Sequence, residues 1–270
     1  MPPEIRLPTN AQGRFYHIDC GPGDLAPFIL TTGDPNRARK IARRFDRIVL
    51  RRKNREFHTY TGTYKNIPVS VMATGIGAAA SAIAMVEAAN CVRAATFIRL
   101  GSTGALQERI QLGDLIITSE ALRDENTTHY YAPPELRALA HPQVLRALQE
   151  AAAALKIPYH VGVTCTTGDF YAGQGRTAPG FSTLDPQKVT RLSRMGVLNL
   201  EMEMSAYLTL AQVSTLNLRA GGVCAVFANR ITGATAFTSP RLMRLAEQRL
   251  TAVGLKAVEI LAGGDGMKGS

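Results

Sequence analysis

From about residue 28 to the last helical pattern, short apolar runs rich in Val, Ile and Thr alternate with longer stretches whose apolar residues recur every three or four positions. This alternation constrains the fold more than any single motif does. Runs apolar along their whole length must be buried on both faces, so helices have to pack above and below them. The strand-like runs lie at 28–31, 69–73, 96–100, 115–119, 159–164 and 222–227. The helical patterns lie at 36–45, 79–91, 142–155, 205–216 and 240–261. Taken in order they predict an α/β fold whose sheet is covered on both sides. Glycine turns close three of the runs, at Thr32-Gly33-Asp34, Thr74-Gly75-Ile76-Gly77 and Gly101-Ser102-Thr103-Gly104. Ligands of such sheets gather at the carboxyl ends of the strands, where these turns fall. The stretch 174–194 mixes Gly, Pro, Ser and Thr without a period and reads as a long surface insertion of the kind that forms lids.

The length of 270 residues suits one domain, 1–270, with loose ends expected at 1–14 and 263–270. A charge of +10 could signal a nucleic-acid partner or an anionic substrate. Much of it lies in one run: Arg37, Arg39, Lys40, Arg43, Arg44, Arg47, Arg51, Arg52, Lys53 and Arg55. Only Phe45 and Phe57 interleave with it, and the chain has no Trp, so the stacking platform of a nucleic-acid binder is missing. A solvated helix face with a few anion-binding arginines accounts for the run as well, and no nucleic-acid partner is expected. No apolar stretch is long enough for a membrane span, and the first residues lack the basic-then-apolar pattern of a secretory signal. Cys20, Cys91, Cys165 and Cys224 are scattered, as buried reduced thiols of a cytoplasmic protein would be. His17, His58, His129, His141 and His160 show no metal-ligand spacing, so no metal is expected from them. No G-x-S-x-G elbow is present. Gly75-Ile-Gly-Ala-Ala-Ala80 matches a dinucleotide fingerprint only formally, because no acidic residue stands about twenty positions on.

Three segments carry chemistry. In TFIRLGSTG at 96–104, Arg99 interrupts an apolar strand just before its glycine turn. A buried guanidinium has to be paired, so a structural ion pair with an internal carboxylate is one account. The other is phosphate binding, since Gly101-Ser102 adds backbone N–H groups and a hydroxyl beside the arginine fork. In Gly33-Asp-Pro-Asn-Arg37, a strand end turns into a helix whose N-terminus suits an anion, with Arg37 one turn in. In VLNLEMEM at 197–204, Leu198, Leu200, Met202 and Met204 alternate with Asn199, Glu201 and Glu203. That is strand periodicity with the polar row on one face, and Ser205 reads as the N-cap of the next helix. A solvated edge strand would explain the row. A carboxylate facing the glycine turns could instead hold two adjacent ribose hydroxyls.

Taken in order, GDPNR, REFHTYTGTY, ATGIG, RLGSTGA, GDFYAGQGR, NLEMEMSA and FANR resemble the nucleoside phosphorylase family, from about His17 to the last helix. The resemblance implies a three-layer αβα fold with a mixed, distorted central sheet. It also implies phosphorolysis of an N-glycosidic bond in nucleoside salvage, with inorganic phosphate as co-substrate and no cofactor. By similarity, phosphate is held by Gly33, Arg37, Arg99 and Ser102, with Arg55 lent by a neighbouring subunit. Ribose falls to Met202, Glu203 and the neighbour's His17. The base falls to Thr103, Gly104, Phe170, Gln174, Arg176 and Arg230. Arg99, Glu203, Gln174 and Arg176 are then the groups at the two ends of the breaking bond. The implied assembly is a homodimer with shared sites, built into a trimer of dimers. The stretch with Phe170, Gln174 and Arg176 is similar to the uridine-specific branch. Purine-specific members carry an aspartate where Asn229 stands, and an amide cannot donate the proton a purine N7 needs. In that branch a monovalent cation is bound at the positions of Glu56, Ile76 and Ala80, where a serine normally replaces the alanine. A purine nucleoside phosphorylase and a hydrolytic nucleosidase of the same superfamily are the alternatives.

Overall fold

Every apolar run forms a strand and every helical pattern a helix in the structure, a computed structural model that describes residues 7–264. The strands are β1 (Phe28–Thr32), β2 (Arg47–Asn54), β3 (Phe57–Tyr64), β4 (Ile67–Ala73), β5 (Thr96–Ala105), β6 (Leu115–Asp124), β7 (Ala138–Leu139), β8 (Tyr159–Thr167), β9 (Asn199–Glu201) and β10 (Arg219–Asn229). The helices are α1 (Pro35–Ala42), α2 (Ala78–Ala89), α3 (Pro142–Ala154), α4 (Lys188–Arg194), α5 (Met204–Val213) and α6 (Pro240–Gly264).

The side chains of β1 and β5 alternate between two cores, which makes the structure three-layered. Phe28, Leu30, Ile98 and Leu100 join α1, α3 and α6 on one face, whereas Ile29 and Phe97 join α2 and α5 on the other. A fully buried Leu, Ile or Phe contributes ~1.5–3 kcal/mol, so a strand feeding both layers is fixed in register by both. The sheet is mixed and distorted, as the resemblance implies. β10 pairs in parallel with β5 and antiparallel with β6. From β6 the pairing returns through β8 and β9 to β5, so these five strands close on themselves. β1, β4, β3 and β2 extend outward from β5 in that order. On that edge β5 pairs Thr96–Arg99 with β1 and Gly104–Ala105 with β9. The strand therefore leaves one neighbour and joins another within a few residues, and the site opens at this parting.

Four features depart from the sequence expectations. The basic run is only partly a helix face: α1 stops at Ala42, and Arg47, Arg51 and Lys53 lie on the exposed side of β2, an edge strand. Cations on an edge discourage a further strand from pairing there. The β2–β3 hairpin escapes an apolar-run reading because β2 is half polar and β3 (FHTYTGTY) buries threonines. The insertion at 174–194 ends in α4, held by Leu192 in a small core with Leu106, Cys165, Val197 and Leu200. The VLNLEMEM segment is a strand only over β9, and it lies inside the sheet between β8 and β5 rather than solvated at an edge. Of the expected loose ends, residues 1–6 and 265–270 lie outside the described residues. Residues 7–14 are tied back, with Thr9 bridging Phe15 and the Asn10 amide donating to Asp19 at 2.7 Å.

Gly62 marks the bulge of the hairpin, where the register shifts between Ile48 and Leu50 and a Cβ would stand 1.9 Å from the Arg47 carbonyl oxygen. Gly62→Ala is expected to cost ~2–4 kcal/mol, because backbone and not a mobile side chain must move. A thermal melt checks this, and an unshifted midpoint would refute the bulge as a constraint.

Candidate active site

Arg99, the last residue of β5 paired to β1, turns its guanidinium to the face shared with α2 and α5 and is almost fully buried. Its Nε donates to Glu201 Oε2 at 2.9 Å, and one Nη donates to Glu203 Oε2. The other Nη–H group is buried and has no acceptor in the protein. Arg99 thus makes the internal ion pair that is one sequence reading, and it keeps one donor unpaired beside the cavity. Gly101 is what makes room, since a Cβ there would come within 2.8 Å of the guanidinium.

Glu201 is the residue that sequence reasoning named without giving it a task. Its carboxylate accepts from Arg99, from Thr166 Oγ1 at 2.5 Å, and from the backbone N–H groups of Glu203 and Met204 at 2.9 Å. It therefore satisfies the first free N–H groups of α5, a capping task assigned by sequence to Ser205. Ser205 lies inside the first turn and donates instead to Glu125 Oε1 at 2.9 Å. The signal was the alternation itself: a buried strand with a polar row needs a polar partner row. Here that row is Thr103, Thr164, Thr166 and Arg99, with Asn199 joining Thr103 and Thr164 at 2.8 and 2.9 Å.

Glu203 accepts from Gly77 N–H at 2.6 Å as well as from Arg99, which fixes both its oxygens. Burial raises its pKa, and the Arg99 charge opposes that rise. Arg37 is buried too. It donates to Thr32 Oγ1 at 3.2 Å, packs 5.8 Å from the centre of the Phe227 ring, and is backed by Glu247 at 3.5 Å. Asp34 caps α1 by accepting from Asn36 N–H at 2.8 Å, with Pro35 in the first turn.

These groups line a cavity of about 460 Å³. Of the residues named from sequence, Gly33, Arg37, Ile76, Arg99, Ser102, Thr103, Gly104, Phe170, Gln174, Arg176, Met202 and Glu203 lie on its wall. Leu200, Glu201, Phe227, Ala228 and Phe237 line it as well. Arg99 and Glu203 form one bonded group on this wall. The wall also holds Gln174, whose amide oxygen accepts from Arg176, and Phe170, whose ring lies 4.1 Å from the Arg176 guanidinium. Arg230 is outside the wall but donates to the Gln174 carbonyl at 3.1 Å. Burial, then Arg230, push the Arg176 pKa down to about 10, which leaves it a cation at neutral pH.

Asn229 also sits behind the wall. Its amide donates to the carbonyls of Gln107 and Ile110 at 3.0 and 2.8 Å, and its oxygen accepts from Ile231 and Thr232 N–H. An ionised aspartate could not make the first two contacts.

His17 and Arg55 do not line the cavity of their own chain. They stand together at the tip of the β2–β3 hairpin, where Arg55 adopts φ 51° and donates to Tyr16 Oη at 3.2 Å. Glu56 and Ala80 both flank Gly75, next to Ile76. Ala80 offers a methyl group where a cation would need an oxygen.

Arg99→Ala would leave Glu201 and Glu203 buried side by side without their cation. A loss of ~3–5 kcal/mol in stability is expected, far more than for an exposed arginine. Chemical denaturation measures it, and a change below ~1 kcal/mol would mean that the pair is not held by Arg99.

A family model described as the phosphorylase superfamily matches residues 27–262. The chain is 44% identical over 259 residues to the uridine phosphorylase of Thermococcus kodakarensis, covering 94% of this chain and 89% of that protein. It is 36% identical over 224 residues to the uridine phosphorylase of Escherichia coli, covering 80% of this chain and 86% of the relative. The crystal structure of uridine phosphorylase from Vibrio fischeri superposes with a TM-score of 0.81 at 26% identity, covering 93% of this chain and 99% of that one. With Gly33, Arg99, Gly104 and Glu203 gathered on one cavity, and a family model spanning nearly all described strands and helices, the chain belongs to the phosphorylase superfamily.

Proposed function

We propose that this protein cleaves uridine with inorganic phosphate, giving uracil and ribose 1-phosphate. The observation that carries the reading is that one cavity is lined by two groups of donors. Arg37 and Arg99, with Ser102 beside them, present donors for an anion, and Gln174 with Arg176 presents an amide and a cation suited to a pyrimidine edge. Glu203 lies on the same wall and accepts from the ribose 2′- and 3′-hydroxyls, with Met202 against the sugar. Uracil departs with the bonding electron pair, and Arg176 stabilises its developing negative charge near O4. The Gln174 amide meets the O2/N3 edge, Phe170 stacks on the ring, and Thr103, Gly104 and Arg230 complete that end. Phosphate attacks C1′ from the opposite face as the ribose gains oxocarbenium character. No protein nucleophile and no cofactor is required; catalysis is positioning plus fixed charge.

The anion donors speak for phosphorolysis over hydrolysis. The amide of Asn229, already committed to two carbonyls, speaks for a pyrimidine over a purine. A basic nucleic-acid binder would place its cations along an open face, whereas Arg37 and Arg99 are buried in a cavity. The matching relatives named as uridine phosphorylases support the same substrate. The enzyme acts in the cytoplasm, in pyrimidine salvage, and no helix among the described residues is long and apolar enough to cross a membrane.

Uridine should be consumed only when phosphate is present, and inosine not at all. Gln174→Ala should lower kcat/KM for uridine ten- to a hundredfold, or ~1.5–3 kcal/mol, since it removes a base contact and the acceptor of Arg176. Absorbance assays with uridine, thymidine and inosine decide it. Preference for inosine, or unchanged uridine kinetics in the variant, would overturn the base assignment.

The same reading makes the protein an oligomer with shared sites, because Arg55 and His17 do not line their own cavity and serve a neighbour's, and the family resemblance extends this to a trimer of dimers. Arg55→Ala and Glu203→Gln chains, each inactive alone, should recover activity when mixed and reassociated. In a mixed dimer one site collects both defects and the other neither. No recovery after exchange verified by mass would exclude shared sites.

A further inference from the structure

Glu87 stands near the end of α2 in an otherwise apolar helix, AAASAIAMVEAA, and is 4% exposed. No lysine or arginine pairs with it among the described residues, and its one titratable partner there is His17. Both its oxygens are spent on a single dipeptide. It accepts from His17 Nδ1 at 2.6 Å, from the His17 backbone N–H at 3.1 Å and from the Ile18 N–H at 2.9 Å. The imidazole is held from its other sides as well. Its ring meets Tyr16 edge-on at 5.1 Å and Phe57 at 6.4 Å, and Asn54 donates to the carbonyls of Tyr16 and His17 at 2.9 Å. The His17 side chain nevertheless keeps 29% of its surface exposed. A carboxylate has no hydrogen to give, so the proton of the contact belongs to Nδ1, and Nε2 is the ring nitrogen left for a ligand.

We propose that Glu87 is a positioning residue that commits the His17 Nδ1 as a donor, so that Nε2 takes a free 5′-hydroxyl and rejects a 5′-phosphate. This rests on the reading that His17 meets the 5′ end of a nucleoside held by a neighbouring copy. With the proton on Nδ1, the neutral ring offers a lone pair at Nε2. A hydroxyl can donate to it, whereas a phosphate dianion carries acceptors only. If the ring takes a second proton, the Glu87–His17 pair is neutral; otherwise it carries one negative charge. In neither state does a 5′-phosphate meet a net cation from this pair, and a desolvated dianion without one is disfavoured. The enzyme is thereby set for nucleosides and not for nucleotides.

The test compares kcat/KM for uridine, 5′-deoxyuridine and uridine 5′-monophosphate on the assembled enzyme with phosphate. His17→Ala should lower uridine about tenfold and leave 5′-deoxyuridine within about twofold, the size of one hydrogen bond. In Glu87→Gln an amide N–H₂ faces Nδ1 and drives the ring proton to Nε2. Uridine should then fall only about threefold, 5′-deoxyuridine should stay unchanged, and the monophosphate-to-uridine ratio should rise about tenfold. Equal losses on all three substrates would make Glu87 a purely structural residue and overturn the proposal. If His17→Ala affects uridine and 5′-deoxyuridine alike, the proposal falls at its premise, while wild-type turnover of uridine still reports separately on the reaction itself. The ring-nitrogen shifts of ¹⁵N-histidine in the unaltered enzyme give a readout that needs no variant at Glu87. A neutral ring protonated on Nδ1 of His17 supports the proposal, and a ring protonated on Nε2, alone or on both nitrogens, overturns it.

Discussion

A cation held between two buried carboxylates organises this molecule. Arg99 is almost fully buried, and it can be so only because Glu201 and Glu203 meet it on two of its three nitrogens. One carboxylate caps α5 and the other is locked to the turn that starts α2, so the pairing joins the middle of the sheet to both helices of one layer. Removing a partner from such a cluster exposes the full cost of an uncompensated buried charge. The arrangement is also incomplete in a useful way, because a guanidinium has five donors and the protein uses only part of them. Rigidity and chemistry come from the same side chain.

The parting of β5 from β1 gives that side chain its cavity. Had β5 kept one neighbour along its whole edge, residues 100–103 would be stitched into a ladder and no opening would form. Instead the strand passes from β1 to β9 across Leu100–Thr103, and closure of β5, β10, β6, β8 and β9 into a ring holds the parting open. The short β9, three residues between two long strands, supplies Glu201 at the edge of the opening. A polar side chain in the middle of a sheet is tolerated because the opposing row of threonines hydrogen-bonds it.

Two clusters lie apart in the single chain. One is the cavity wall, with its anion donors and its Gln174–Arg176 pair. The other is the hairpin tip, where Tyr16, His17, Asn54 and Arg55 are bound to one another and anchored to α2 by Glu87. The second cluster is as carefully bonded as the first although it faces outward. A buried carboxylate is costly unless it is hydrogen-bonded, and the half-buried His17 with the backbone N–H groups of His17 and Ile18 satisfies Glu87.

Most of the fold was legible in the sequence, because apolar periodicity reports which faces are buried. The six apolar runs and five helical patterns each became an element, since burying them on two sides leaves few alternatives. The turns after β1 and β4 fall at the cavity, whereas Gly101–Gly104, expected as a third turn, continues β5 as strand to Ala105 because β10 pairs with it throughout. What escaped was polar: β2 with its outward arginines, β3 with its buried threonines, α4 within a loop-like composition, and the work of Glu201 and Glu87. A buried polar residue is stabilised by partners distant in sequence, Arg99 for Glu201 and His17 for Glu87, and no local pattern announces them. The sequence by itself determined the layers, the strand ends and the residue types available for chemistry. Only the tertiary structure decided which charges meet and which donors stay unpaired, because these depend on through-space distances that burial alone does not encode.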